Sequence, residues 1–327
     1  MSISKVNTVC GSINADKLGL TLIHEHILFG YPGWYADSTI APFNKALALR
    51  KTIALLTELK GLGVQTIVDA TPNDCGRDPQ FLRELSESTG INIICATGYY
   101  NEHEGASAYF SIRNMMKDTI PEIAEMMITE ITKGIAGTGI RAGVIKVASS
   151  KNSITQYEEK FFKAAAIAQK ETGIPIITHT QEATMGPEQA DLLIAEGANP
   201  SRIMIGHMGD STDMRYLLTT LAKGVFIGFD RMGLQVIVGC PMDTERIPCI
   251  IGLVGAGYED RLLLSHDSIC YWLGRPPDFP DFIVPILKNW HPSHIFKNII
   301  PTLKNNGIKD KQIRNIIAGN PKRLFGG

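Results

Sequence analysis

Residues 20–29 read Leu-Thr-Leu-Ile-His-Glu-His-Ile-Leu-Phe, an apolar and β-branched run with two histidines one residue apart. Such a run is typical of a buried strand. Side chains alternate along a strand, so His24 and His26 share one face and Glu25 points to the other. Two neutral imidazoles on one face can bind one metal ion together, and a solvated or core-bonded pair is the alternative. The motif alone does not decide between a metal site and a structural pair. Further metal-binding side chains elsewhere in the chain would favour the metal site.

The rest of the chain alternates between short apolar runs and amphipathic stretches. Eight runs predict strands, at residues 20–25, 66–71, 92–98, 143–148, 175–180, 203–208, 225–230 and 262–267. Helices are predicted at residues 45–59, 156–172, 187–196, 213–223 and 243–252, with a final pair at 293–303 and 310–317. Eight buried strands, mostly followed by helices, predict an α/β fold of the (β/α)8 TIM-barrel type. A short hairpin or cover segment is expected to precede the barrel.

An open, doubly wound sheet is the competing architecture. It would need a glycine-rich, phosphate-binding turn directly after an early strand. The candidate, residues 134–139, lies between a predicted helix and a predicted strand, so we interpret it as a helix stop. The sequence has no recognisable linker, repeat or low-complexity tract, and we therefore expect one domain over residues 1–327.

Composition narrows the classes of function. The 327 residues are 44% hydrophobic and 20% charged with a formal net charge of -1, which gives no electrostatic support for nucleic-acid binding. No apolar run is long enough to span a membrane, and the first seven residues hold no signal-peptide core. The six cysteines are scattered without CxxC spacing, which favours reduced thiols. We expect a cytoplasmic protein that acts on a small molecule, with neither nucleic acid nor membrane as a partner.

The reactive face of such a barrel lies at the C-terminal ends of its strands. The predicted strand ends carry His24, His26, Lys146, His179, His207, His266 and Asp267. His266 alternates away from Asp267 and is predicted to be structural. The other four imidazoles and the carboxylate exceed the three ligands of a single catalytic zinc, which favours two divalent ions sharing a hydroxide. Lys146 would then be either a neutral amine that forms a bridging carbamate or an ordinary ion-pair partner.

These segments resemble the phosphotriesterase family of the amidohydrolase superfamily, most closely its phosphotriesterase-like lactonases. The matching segments are residues 21–26, 143–146, 177–180, 205–207 and 264–267. The resemblance extends over nearly the whole chain, and no ligand position is substituted.

The resemblance implies a binuclear metal centre at the strand ends. His24, His26 and Asp267 would bind the more buried ion, and His179 and His207 the more exposed one. Carbamylated Lys146 and a hydroxide would bridge the two ions. Zinc is the favoured metal, with iron, cobalt and manganese as alternatives, and the resemblance also implies a homodimer.

Two further residues match the lactonase branch. Tyr100 lies two residues past strand three and Arg231 follows strand seven; in the family such residues are implicated in positioning lactone or hydroxide. The alternatives are a rim aromatic for Tyr100 and a partner of Asp230 or Asp243 for Arg231. Family triesterases typically carry histidine at the position of Arg231, so this sequence departs from them. The residues predicted to contact substrate are Phe29, Tyr100, Phe229, Arg231 and Trp272.

The predicted reaction is metal-assisted hydrolysis. A bridging hydroxide would attack a carbonyl polarised by the exposed ion, and Asp267 would carry the proton to the leaving alkoxide. The resemblance implies a lactonase for N-acyl-homoserine lactones and aliphatic γ/δ-lactones, a quorum-quenching activity, with promiscuous phosphotriesterase activity. A dedicated organophosphate triesterase is the first alternative. A phosphorylated-sugar lactonase would need converging cations, for which Arg231, Arg246 and Arg275 are the candidates. The remaining alternative is a non-enzymatic binding protein on the same barrel scaffold. It would be expected to have lost at least one metal ligand, and none is lost here.

Overall fold

The computed structural model describes residues 5–326; residues 1–4, part of the N-terminal stretch considered for a targeting segment, and Gly327 lie outside it. The chain begins with an antiparallel hairpin of β1 (Lys5–Thr8) and β2 (Gly11–Asn14). The Asn7 side chain donates to the carbonyls of Ile131 and Ala142, which ties the hairpin to the N-terminal end of the barrel. The predicted hairpin is therefore confirmed.

Eight parallel strands form the barrel wall in sequence order. They are β3 (Leu20–Phe29), β4 (Val64–Asp69), β5 (Asn92–Gly98), β6 (Val144–Ala148), β7 (Ile176–His179), β8 (Ile203–Ile205), β9 (Phe226–Phe229) and β10 (Leu262–Leu264). A ninth strand, β11 (Ile269–Trp272), continues from β10 and pairs with β3 in parallel. The ends of the sheet also meet through Asp267, whose backbone N–H donates to the His24 carbonyl at 3.0 Å. The (β/α)8 prediction is confirmed.

The helices cover the outside of the barrel. They are α1 (Lys45–Gly61), α2 (Pro79–Thr89), α3 (Tyr109–Asn114), α4 (Ile120–Thr132), α5 (Gln156–Thr172), α6 (Gly186–Ala195), α7 (Met214–Leu221), α8 (Asp243–Gly255), α9 (Ile300–Asn305), α10 (Asp310–Arg314) and α11 (Asn320–Gly326). Helix α5 matches its predicted bounds because Thr155 and Glu158 form a capping box and Gly173 ends it in the left-handed region. Neither α2 nor α4 is among the helices predicted from the sequence, although Asp78 caps α2 and Pro79 begins it.

The apolar core has two layers. The larger layer lies between strands and helices, and a smaller cluster, which includes Val144, Ile177, Phe226 and Leu263, fills the barrel interior. This cluster also contains Leu324 and Phe325 of α11, so apolar packing closes the N-terminal end of the barrel. The polar strand-end residues occupy the opposite end. No helix within residues 5–326 combines the length and the apolar composition needed to cross a membrane.

Candidate active site

His24 and His26 each use one ring nitrogen to contact the surrounding protein. The Nδ1 of His24 lies 2.7 Å from Asp230 Oδ2, and since a carboxylate only accepts, His24 donates. The Nδ1 of His26 lies 2.9 Å from the Thr71 hydroxyl, which itself donates to the carbonyl of Leu28 and so accepts from His26. Both residues therefore present a lone pair on Nε2 to the barrel interior.

His179 and His207 face each other across the next part of the rim. The Nδ1 of His207 lies 3.2 Å from Asp230 Oδ1, and the Nε2 of His179 lies 2.7 Å from Gln181 Oε1. Their remaining nitrogens, His179 Nδ1 and His207 Nε2, are 3.0 Å apart. Two lone pairs at that distance repel each other unless they share a cation. The donor set thus fits a metal ion.

Asp267 joins the two halves of this cluster. Its Oδ1 lies 3.0 Å from His26 Nε2 and 3.3 Å from His24 Nε2, and its Oδ2 lies 3.8 Å from His207 Nε2. Ligand atoms of His24, His207 and Asp267 all lie within 4.8 Å of one another. Asp267 and His207 also adopt left-handed backbone angles, with φ of 53° and 58°, which cost free energy and often mark functional sites. This His/Asp group could bind metal.

Burial controls protonation in the cluster. It lowers the pKa of Lys146 on β6 to about 8, and the Lys146 Nζ lies 2.9 Å from His24 Nε2. Burial, with Lys146 as the next cause, lowers the pKa of His24 to about 3. Burial also holds the pKa of His179 well below its usual range, with His207 adding to the effect. The His24 and His179 imidazoles are therefore neutral at pH 7, as metal ligands must be.

Arg231 and Tyr100 both lie at the rim, as predicted. The Arg231 Nε donates to Asp267 Oδ2 at 2.9 Å and its Nη1 donates to Asp210 Oδ2 at 2.8 Å. Its carboxylate partners are thus Asp267 and Asp210, whereas Asp230 and Asp243 were the ones considered from the sequence. Tyr100 packs its ring against His179, with ring centroids 5.2 Å apart, and donates its hydroxyl to Glu104.

A cavity of about 320 Å³ opens above these residues. Four of the residues predicted to contact substrate, Phe29, Tyr100, Arg231 and Trp272, line this cavity. The wall continues through Tyr31, Leu234, Ile237, Val238, Ile269, Pro277, Phe279 and Trp290. Phe229 was predicted to contact substrate, but this prediction is wrong. Strand alternation turns its side chain outward, where it is fully buried in the layer between strands and helices.

The sequence profile of the phosphotriesterase family matches residues 4–325. This chain belongs to that family. An organophosphorus hydrolase from Deinococcus radiodurans is 56% identical, with a TM-score of 0.97 over 99% of this chain and 97% of that chain. A mutant of a D. radiodurans PTE-like lactonase is 55% identical, with a TM-score of 0.97 over 98% and 100% of the two chains. An aryldialkylphosphatase of Saccharolobus solfataricus is 36% identical over 96% of this chain and 97% of its own.

Family membership, together with the His/Asp group, identifies the chain as a metal-dependent hydrolase. The structure also bears on the phosphorylated-sugar alternative for this phosphotriesterase-family member. Arg246 is buried and donates to the carbonyls of Arg231 and Leu234. Arg275 is exposed and pairs with Asp37. In the described part of the chain, Arg231 is thus the one of the three candidate cations that lines the cavity.

Several residues of the site were missed by the sequence analysis. Asp230 ends predicted strand seven and orients both His24 and His207, and its strand-end position was the signal that could have found it. Glu104 and Gln181 line the cavity from loops that no strand-end pattern marks. Glu25 lies outside the His/Asp group, as its predicted place on the opposite face of the strand requires, and accepts from His266, which was predicted to be structural.

Proposed function

We propose that this chain is a lactonase that hydrolyses N-acyl-homoserine lactones and aliphatic γ/δ-lactones, with phosphotriester hydrolysis as a side activity. One observation carries the proposal. Arg231 contacts Asp267 and Tyr100 packs on His179 at the polar end of a cavity whose walls are otherwise largely apolar. A lactone with an acyl chain needs that combination, since its one carbonyl requires polar contacts and its chain requires apolar ones.

Two divalent ions complete the proposed centre. The proposed ligands are His24, His26 and Asp267 for one ion, His179 and His207 for the other, with carbamylated Lys146 and hydroxide between them. Zinc is favoured, and iron, cobalt or manganese are alternatives. Bound ions would supply a Lewis acid for the carbonyl and a hydroxide at neutral pH. Support comes from the orientation of the imidazoles, each of which turns one nitrogen towards Asp267 or a neighbouring imidazole.

The side chains of the protein would then position the substrate and move the proton. Asp267 Oδ1 lies on the His24 and His26 side, so Oδ2 is the atom that would take the proton and pass it to the leaving alkoxide. Arg231 Nε holds Oδ2 in place at 2.9 Å. The Tyr100 phenol, whose pKa burial and Glu104 raise well above its usual range, stays protonated, donates to Glu104 and contributes its ring to the cavity wall.

A dedicated organophosphate triesterase is the second candidate. It shares the same metal centre, and two of the relatives carry names for that activity. The apolar wall around Leu234, Ile237 and Trp272 favours the lactonase, because an acyl chain can pack along it.

The test is a comparison of kcat/KM for the zinc-loaded protein on lactones of increasing acyl length and on a diethyl aryl phosphotriester. We expect kcat/KM for at least one acyl lactone to exceed that for the triester. Replacing Trp272 by Ala should lower kcat/KM more for long-chain than for short-chain lactones, because the aromatic ring supplies apolar contact area. Phe282→Ala, at an exposed residue outside the cavity wall, is the matched control. A triester rate above that of every lactone would overturn the proposal.

Three broader features also stay predictions. They are one domain across residues 1–327, a homodimer and a cytoplasmic location. Light scattering on the eluting protein tests the dimer, and a mass of about 36 kDa, the 35.8 kDa of one chain, would contradict it.

A further inference from the structure

Glu104 and Gln181 connect Tyr100 to His179 through continuous hydrogen bonds. The Tyr100 hydroxyl donates to Glu104 Oε2 at 2.6 Å, and Gln181 Nε2 donates to Glu104 Oε1 at 2.8 Å. Gln181 Oε1 in turn lies 2.7 Å from His179 Nε2. Glu104 follows β5 and Gln181 follows β7, so the chain of bonds joins two rim loops.

The chemistry of the acceptors fixes the direction of every bond in this chain. A carboxylate accepts and does not donate, so Gln181 has to turn its NH₂ group towards Glu104. Its amide oxygen then faces His179 and also only accepts. The proton of the His179 ring must therefore sit on Nε2, which leaves the lone pair on Nδ1, the nitrogen that faces His207.

We propose that Glu104 is a positioning residue that fixes the tautomer of His179 through Gln181 and holds the Tyr100 phenol with the same carboxylate. One side chain thus sets both the tautomer of a ligand proposed for the more exposed ion and the orientation of a phenol that lines the substrate cavity. This inference rests on the proposed function for the metal and the lactone. His24, His26 and His207 differ from His179, because each contacts Asp230 or Thr71 directly.

The surroundings hold both residues in place. Buried Asn101 accepts from the Glu104 backbone at 2.9 Å and donates to its Oε2 at 3.3 Å. After Gln181, the backbones of Glu182, Ala183 and Met185 all have positive φ, of 49°, 50° and 66°. Strain of this kind persists where neighbouring structure demands one conformation. The backbone that follows Gln181 is therefore held in one conformation, which limits where the Gln181 side chain can lie.

The test uses Zn²⁺ and the full chain. The readout is the affinity for each of two Zn²⁺ equivalents, measured by competition with a chromogenic chelator. Glu104→Gln keeps the size but removes the acceptor-only group, so the Gln181 amide can turn over and the preference for one tautomer is lost. Gln181→Leu removes the link entirely. Losing an orienting partner of a metal-binding histidine costs about 10–100-fold in metal affinity. We therefore expect both variants to lower the affinity for the second Zn²⁺ equivalent by that order and to leave the affinity for the first equivalent unchanged.

A charge swap separates positioning from packing. In the double variant E104Q/Q181E, the Tyr100 hydroxyl donates to the amide oxygen at position 104 and that amide donates to the carboxylate at position 181. The carboxylate accepts from His179 Nε2, so the original direction returns. We expect E104Q to lower both the affinity for the second Zn²⁺ equivalent and the lactone kcat. The double variant should recover both. Glu182→Gln is the control. It removes the charge of the residue that follows Gln181 and pairs with Lys151, and it should match the wild type in zinc affinity and lactone kcat.

Two results would overturn the inference. One is wild-type affinity for both equivalents in E104Q and Q181L, and the other is a double variant no better than E104Q. An unchanged first equivalent and an unchanged unfolding midpoint show that each variant is folded. If the zinc pattern appears as expected while the wild type hydrolyses no lactone, the positioning role stands and the proposed substrate is wrong.

Discussion

Asp267 is the residue at which the proposed metal-ligand role, the proposed proton-acceptor role and a left-handed backbone conformation coincide. It lies at a φ of 53°, contacts His24 and His26 with one oxygen, and receives a hydrogen bond from Arg231 on the other. Burial alone would raise its pKa, but electrostatic contacts with His207, His24 and the Arg231 guanidinium hold it well below its usual range. Asp267 is thus kept as a carboxylate without bulk water around it.

Replacing Asp267 by Asn should separate its two roles. The amide oxygen can still face the cluster, but the amide cannot take a proton, so we expect kcat for lactones to fall by about 10²–10⁴-fold. Metal analysis should show that most of the metal is retained. The exposed Asp191→Asn is the matched control. Unchanged kcat in Asp267→Asn would contradict the assigned role.

Arg231 neutralises two buried carboxylates at once, those of Asp210 and Asp267. Arg231→Met removes the closer of the two arginines that pair with Asp210 among the described residues and leaves Arg246, at 3.5 Å, so we expect a loss of about 3 kcal/mol in the free energy of unfolding. Urea denaturation of the metal-loaded protein measures it. Adding Asp210→Asn removes the uncompensated charge and should restore much of the stability but not the lactone rate. Equal stability of Arg231→Met and wild type would contradict this account.

At the scale of elements, β3 is the strand that closes the barrel. Glu25 faces away from the metal cluster and accepts hydrogen bonds from the Ser265 hydroxyl, from His266 and from Ser268. These partners belong to the segment that joins β10 to β11, so one buried carboxylate links the first strand of the barrel wall to the last. The same bonds fix the backbone on both sides of Asp267.

Glu25→Gln should therefore weaken the closure of the barrel. The amide NH₂ would meet groups that already donate, so we expect a loss of about 2–4 kcal/mol in the free energy of unfolding. The surface change Glu84→Gln, which breaks an exposed pair with Lys45, should cost about 1 kcal/mol or less. Urea unfolding curves of both variants check this, and equal losses would contradict the closure role.

The elements also explain what could be predicted from the sequence. The strand-end rule located His24, Lys146 and Asp267, because in a barrel every strand ends on the same rim. The prediction that Phe229 contacts substrate was wrong because strand alternation was not applied to it, although the same alternation separates Glu25 from His24 and His26. The strand-end rule could not predict Glu104 and Gln181, because both lie in loops. They are 77 residues apart in sequence and meet because these loops fold onto the same rim.

At the scale of the whole molecule, stability and chemistry lie at opposite ends. The N-terminal end of the barrel is filled by apolar side chains and covered by α11 and the β1–β2 hairpin. The C-terminal rim instead gathers buried imidazoles, carboxylates and a lysine, together with residues of positive φ. Close donor atoms and strained backbone make this rim costly unless a cation binds there.

Metal removal should therefore lower the stability of the whole chain. A ligand that binds only the folded state adds about 4 kcal/mol at a free concentration 1,000 times its Kd. We expect dialysis against a chelator to lower Tm and added Zn²⁺ to restore it, and calorimetry measures both. The same treatment of a His24→Ala/His207→Ala variant should shift Tm much less. A Tm unchanged by the chelator in the wild type would contradict metal binding at the rim.

We propose a two-metal centre at the strand ends, held by His24, His26, His179, His207 and Asp267 and bridged through Lys146. The most direct test is a crystal structure of the zinc-loaded protein with anomalous data collected at the zinc edge. We expect two anomalous peaks about 3.5–4 Å apart among these side chains, with density for a carbamate on Lys146 Nζ between them. A single peak, or two peaks with an unmodified Lys146, would contradict it.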